Sequence, residues 1–156
     1  MSKEEAVTED EKAIVSLSDT AIAFGPRYLD SEGTALFESS AYTLVKIFAE
    51  SDIEVARIVP NDKEVEISEN AFELLLPVVV IGASYLSANP DLVNISINLL
   101  SNYIHDFFKG IQGEKSVKCK VLIKGKKNYK KIEFNGPPES FKDLEKLIET
   151  VLDERE

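Results

Sequence analysis

The chain carries one cysteine and one histidine in 156 residues. A lone Cys119 cannot form an internal disulfide, and so little cysteine favours an intracellular, cytoplasmic home. One His and one Cys do not make the usual zinc ligand set. Acidic residues are plentiful but show no EF-hand spacing, so no metal is expected. Clustered glycine is missing too. Gly82 ends an apolar run, as the first glycine of a dinucleotide-binding turn would. Ala83, Ser84 and Tyr85 follow it, however, with no further glycine to let the backbone approach a pyrophosphate. No cofactor is expected. Met1–Lys12 has no apolar stretch of the kind a signal peptide needs. The longest apolar run, Phe72–Ala88, is interrupted by Glu73, Pro77 and small polar residues. It falls short of the roughly 20 clean apolar residues of a membrane span, and no Lys or Arg cluster flanks it.

What is present is an ordinary globular composition, 44% hydrophobic and 29% charged. One α+β domain is expected over residues 13–156, preceded by a disordered acidic tail over 1–12. The net charge of −10 argues against a chain-wide attraction to nucleic acid or anionic membrane.

The stretch 70–108 is the most apolar, and its spacing predicts two consecutive helices joined at Ser87–Pro90. Asn70 is a candidate cap for the first, with Glu73 at capping-box distance. Pro77 would kink it. Val78–Gly82 also fits a buried strand, because a short apolar run is ambiguous by periodicity. The second helix has clearer punctuation: Asn89 caps, Pro90 takes the first position, and Gly110 stops it. Upstream, 32–50 reads as a helix with Ser31 as cap. Ile53–Ile67 reads as a hairpin about Pro60–Lys63, and Val117–Asn135 as a second about Gly125–Asn128. Ser140 is the expected cap of a closing amphipathic helix, with Asp143 at capping-box distance and Phe141, Leu144, Leu147, Ile148, Val151 and Leu152 on one stripe. The expected fold is therefore α+β, with two β-hairpins in an antiparallel sheet packed on a central apolar helix pair and closed by the C-terminal helix. Each hairpin leads into a helix, by duplication or by common arrangement.

Two surfaces stand out. Residues 115–131 contain eight lysines and no acid, so the rest of the chain carries −18. Lys118, Lys120, Lys124, Lys126, Lys127, Lys130 and Lys131 could protect strand edges, meet an acidic protein surface (that of a second copy included), or bind phosphates. The ribbon lacks the arginines and interleaved aromatics of specific nucleic-acid readers. On the second helix, Asn94, Asn98, Asn102 and His105 share one face. Solvent faces are normally rich in Glu and Lys, whereas neutral amides suit a hydrogen-bonded contact in cis or with a partner. His105 has no carboxylate on its own face to make it a general base, and Cys119 points inward on a strand as a small hydrophobe.

The order of apolar helix Ile97–Phe108, Lys-rich hairpin Val117–Phe134 and closing helix Phe141–Leu152 resembles the C-terminal part of effector-associated domains of bacterial conflict systems. The resemblance implies a non-catalytic adaptor. The function expected is a non-enzymatic protein–protein interaction module: an adaptor, regulator or assembly subunit, with self-association open. An acidic toxin-neutralising immunity protein and a nucleic-acid binder acting through 115–131 are the alternatives.

Overall fold

A computed structural model of the chain describes residues 2–67, 73–125 and 128–153. In chain order its elements are β1 (Ser2–Glu5), α1 (Glu9–Ser16), β2 (Ile22–Gly25), β3 (Tyr28–Leu29), β4 (Ala35–Glu38), α2 (Ser39–Glu50), β5 (Ala56–Arg57), β6 (Glu64–Ile67), β7 (Glu73–Leu75), β8 (Val78–Gly82), α3 (Leu92–Phe108), β9 (Ser116–Lys124), β10 (Tyr129–Gly136) and α4 (Asp143–Asp153). Short 3-10 turns fill Ala83–Ala88 and Pro138–Ser140. The fold is α+β, built on a seven-stranded mixed sheet in the order β1-β10-β9-β8-β2-β5, with β7 also on β9. A smaller sheet orders β3-β4-β6.

The central apolar helix pair is corrected to one helix and a strand line. Glu73–Leu75 and Val78–Gly82 run parallel to β9, at Ser116–Lys118 and Val121–Lys124 respectively. The Leu76 N–H still reaches Lys118 O at 3.0 Å. Pro77 has no N–H to donate, so the ladder breaks there instead of a helix kinking. The β-branched run Val78–Ile81 is stiff and suits a pleated surface. It is buried on both sides. Val79 and Ile81 join the core beneath α3, while Val78 and Val80 join the smaller core beneath α1. A strand covered on both faces loses its alternation, so it imitates an all-round apolar helix. The expected cap Asn70 lies outside the described residues.

The second helix stands as α3, but it starts at Leu92 with Asp91 at its N-cap, not at Pro90 with Asn89 as the cap; Gly110 ends it at φ +82 in the left-handed region. The closing amphipathic helix stands as α4, but it begins at Asp143, with Ser140 in the 3-10 turn before it; the second hairpin stands as β9–β10, paired antiparallel from Tyr129↔Lys124 to Gly136↔Val117. The first hairpin does not form. Ala56–Arg57 pairs parallel with β2 in the main sheet, and Glu64–Ile67 pairs parallel with β4 in the small one. Side chains hold the two strands instead: Arg57 Nε meets Glu64 Oε1 at 3.0 Å and stacks over the Tyr42 ring, 4.5 Å from its centroid. With parallel pairs at β2–β5, β4–β6 and β8–β9, the expected antiparallel sheet is corrected to a mixed one. The hairpin-helix duplication loses its first member. The helix expected over 32–50 starts only at Ser39, because Ala35 and Phe37 enter a small core as strand residues.

Three layers result. The helices α2, α3 and α4 cover one face of the main sheet, burying Phe24 against Phe48 edge-on at 5.3 Å and Phe134 against Phe141 at 5.4 Å. On the other face Ile14 and Val15 of α1 cover Ala23, Val80 and Leu122. Residues 2–5 pair with β10 and 9–16 form α1, where a disordered tail was expected. Among the described residues, no helix is long and apolar enough to cross a membrane.

Candidate interaction surfaces

Alternation along β9 sends Val117, Cys119, Val121 and Ile123 into the larger core. It leaves Lys118, Lys120 and Lys124 on the α1 side, where Tyr129, Lys131 and Glu133 of β10 lie opposite them or Leu122. This lysine-lined side is where the acidic N-terminal segment docks. Thr8 and Glu11 form a capping box at the start of α1: the Glu11 N–H donates to Thr8 Oγ1 at 3.2 Å, and the Thr8 N–H donates to Glu11 Oε1 at 2.9 Å. The cap fixes the Glu11 carboxylate over the ribbon. There it pairs with Lys120, and with Lys131 at 3.0 Å.

Glu11 and Lys131 are each only 8% exposed, so this pair is largely out of water. Burial alone would raise the Glu11 carboxyl. Hydrogen bonds from Lys120, the Thr8 backbone and Lys131 outweigh it and pull the carboxyl down to about 2.

Further ribbon lysines are engaged within the chain as well. Lys118 meets Glu73 at 3.4 Å, Lys130 meets Glu4 at 3.0 Å, and Lys131 also faces Glu5 and Glu133 at 3.9 Å. Lys124 Nζ donates to Ser18 O at 2.9 Å and Ser16 O at 3.4 Å, which places a cation at the negative end of α1. Lys126 and Lys127 lie outside the described residues. For four of the described ribbon lysines, Lys118, Lys120, Lys130 and Lys131, the acidic surface is part of this chain.

The amide face of α3 lies on the opposite side of the sheet, so the two expected surfaces do not merge. Asn94, Asn98, Asn102 and His105 are all exposed. Asn94 Nδ2 donates to Glu145 Oε2 at 2.9 Å, and Asn98 Nδ2 donates to Asn94 Oδ1 at 3.3 Å. Asn94 thus ties α3 to α4, Asn98 braces Asn94 from within α3, and Asn102 and His105 continue the face beyond that tie. Ile95 is 39% exposed at its start, and Leu99, Tyr103 and Phe107 are half-buried along the helix.

Sequence reasoning missed three groups. Thr8-x-x-Glu11 ahead of Ala13-Ile14-Val15 is a capping-box signature and could have been read. Glu38, with no exposed surface, pairs with Arg27 at 3.4 Å, and no sequence pattern marks it. Tyr42 donates to Glu64 Oε1 at 2.6 Å beside Arg57, and burial with that bond pushes its phenol up to about 12. A cleft of about 390 Å³ opens between Arg27, Val78, Lys118, Lys120 and Asn135. Each of its cations already faces a carboxylate, so it is no anion trap. Cys119 is buried, and burial pushes its thiol up to about 12, leaving it protonated at neutral pH.

No protein-family model matches the chain, and neither a curated protein nor a solved structure matches it.

Proposed function

We propose that this chain is a non-enzymatic interaction module, acting as an adaptor, regulator or assembly subunit by contact with another protein or a second copy of itself. The observation that carries the reading is the outer face of α3. A long, well-anchored helix turns Asn98, Asn102 and His105 to solvent, with Ile95 beside them. Neutral hydrogen-bonding groups next to partly exposed apolar ones are the makings of a contact patch rather than of a solvated face. The adaptor role implied by the resemblance of the C-terminal third agrees with it. Phosphate binding by the ribbon draws less support, because Lys118, Lys120, Lys130 and Lys131 each sit against a carboxylate of the same chain.

The test is a photo-crosslinking amino acid placed at Asn102, and separately at the exposed Lys46 of α2, in the full chain inside the cells that make it. The reading expects a discrete adduct from position 102 and none from 46. An adduct at twice the chain mass would identify a second copy. No adduct from 102, or equal labelling from both, contradicts it.

A further inference from the structure

We infer that β1 is an exchangeable edge strand, and that at high protein concentration two copies of this chain trade residues 2–5, each pairing with β10 of the other. This goes beyond the contact reading above, whose patch is the outer face of α3, and stands or falls apart from it. The sequence of β1 is Ser-Lys-Glu-Glu, and it brings no apolar side chain to any core. A four-residue antiparallel register with β10 holds it, helped by surface ion pairs such as Lys130–Glu4 at 3.0 Å. Pairs of that kind add little, and the backbone bonds are regained in full when the same strand arrives from another copy.

The strand covers an edge that needs covering. Ile132 and Phe134 of β10 are buried core residues, and a bare edge beside them would offer a row of unpaired N–H and C=O groups. Only Ala6 and Val7 separate β1 from Thr8, which Glu11 holds in the capping box. A hinge this short favours exchange over closure.

Charge complementarity selects the occupant. In the present register Glu4 faces Ile132 and reaches Lys130 diagonally at 3.0 Å, while Glu5 faces Lys131 at 3.9 Å, and every copy carries both acids.

The test uses the full chain with Lys3→Cys and Glu133→Cys, which oppose one another across β1 and β10. It is oxidised mildly over a concentration series and resolved without reductant. Cys119 is buried and stays out of the reaction. Exchange expects a disulfide-linked dimer that grows with concentration at the expense of the intrachain form. An intrachain disulfide alone at every concentration overturns it. A second variant, with three glycines inserted between Ala6 and Val7 in the otherwise unchanged chain, relaxes the hinge and is expected to lose the dimer by light scattering. A dimer that survives the insertion overturns exchange. If light scattering gives a dimer while the disulfide stays intrachain, exchange fails but the contact reading stands. If the chain is monomeric throughout, exchange fails, and the adduct from position 102 judges the contact reading separately.

Discussion

Removing the Glu11 carboxylate should destabilise this protein more than removing any other acid of its N-terminal segment. The side chain caps α1, pairs with Lys120 and faces Lys131, a cation only 8% exposed. Its carboxyl is held at about 2 against an ordinary 4.5. At 1.36 kcal/mol per pKa unit, that depression corresponds to about 3 kcal/mol of stabilisation of the charged form. Breaking a buried pair by deleting one partner costs about 3–5 kcal/mol, and here the surviving Lys131 would stay buried with only Glu5 and Glu133 at 3.9 Å. Glu11→Ala is therefore expected to cost about 3–5 kcal/mol in urea unfolding at pH 7, with an unchanged m-value. Glu11→Gln keeps an acceptor for the Thr8 N–H and should cost less.

Lys131→Met supplies the decisive comparison. In the Glu11→Ala background it removes the buried cation that has lost its nearest carboxylate, so the double variant should recover about 2 kcal/mol relative to additivity. Because the folded carboxyl titrates below an unfolded glutamate, this stabilisation is fully present above about pH 4.5 and is lost as pH falls toward about 2. The reasoning is refuted if Glu11→Ala costs under about 0.5 kcal/mol, or if the two substitutions simply add.

Three further outcomes are expected. Gly82→Ala would drive a Cβ into Thr20 O, so urea unfolding should show a loss of about 1–3 kcal/mol; a neutral substitution would contradict that close approach. The amides of Val79–Gly82 should be among the slowest to exchange with deuterium, as befits a central strand with both faces covered; exchange at the rate of surface loops would contradict it. Cys119 should resist a thiol reagent in the native protein and react on unfolding, because its thiol is buried and held at about 12; rapid native labelling would contradict that.

The parts of the fold legible in sequence were those with one polar and one apolar side. Alternating lysines marked β9 as half-covered, and the stripe Phe141–Leu152 marked α4. Val78–Gly82 was misread because α1 covers the face that would otherwise have been polar, and that cover comes from some 60 residues upstream. The first hairpin failed for a related reason. The turn at Pro60–Lys63 was real, but it joins two different sheets, and parallel pairing with β2 and β4 leaves no local signature. Both candidate surfaces were found as residues and not as contacts. The ribbon lysines and the acidic N-terminal residues were each noticed, yet the bonds Lys131–Glu11 and Lys130–Glu4 span more than a hundred positions. Only the Thr8–Glu11 capping box could have hinted that the supposed tail was a helix laid on the sheet.

The central claim is that Glu4, Glu5 and Glu11 of the N-terminal segment pair with Lys120, Lys130 and Lys131 of the hairpin within one chain. The most direct measurement is the NMR titration of the Glu11 side-chain carboxyl in the intact protein. The account expects a midpoint at about 2, with the neighbouring lysine ammonium resonances moving in step. A Glu11 carboxyl that titrates near 4.5, independently of Lys120 and Lys131, would contradict it.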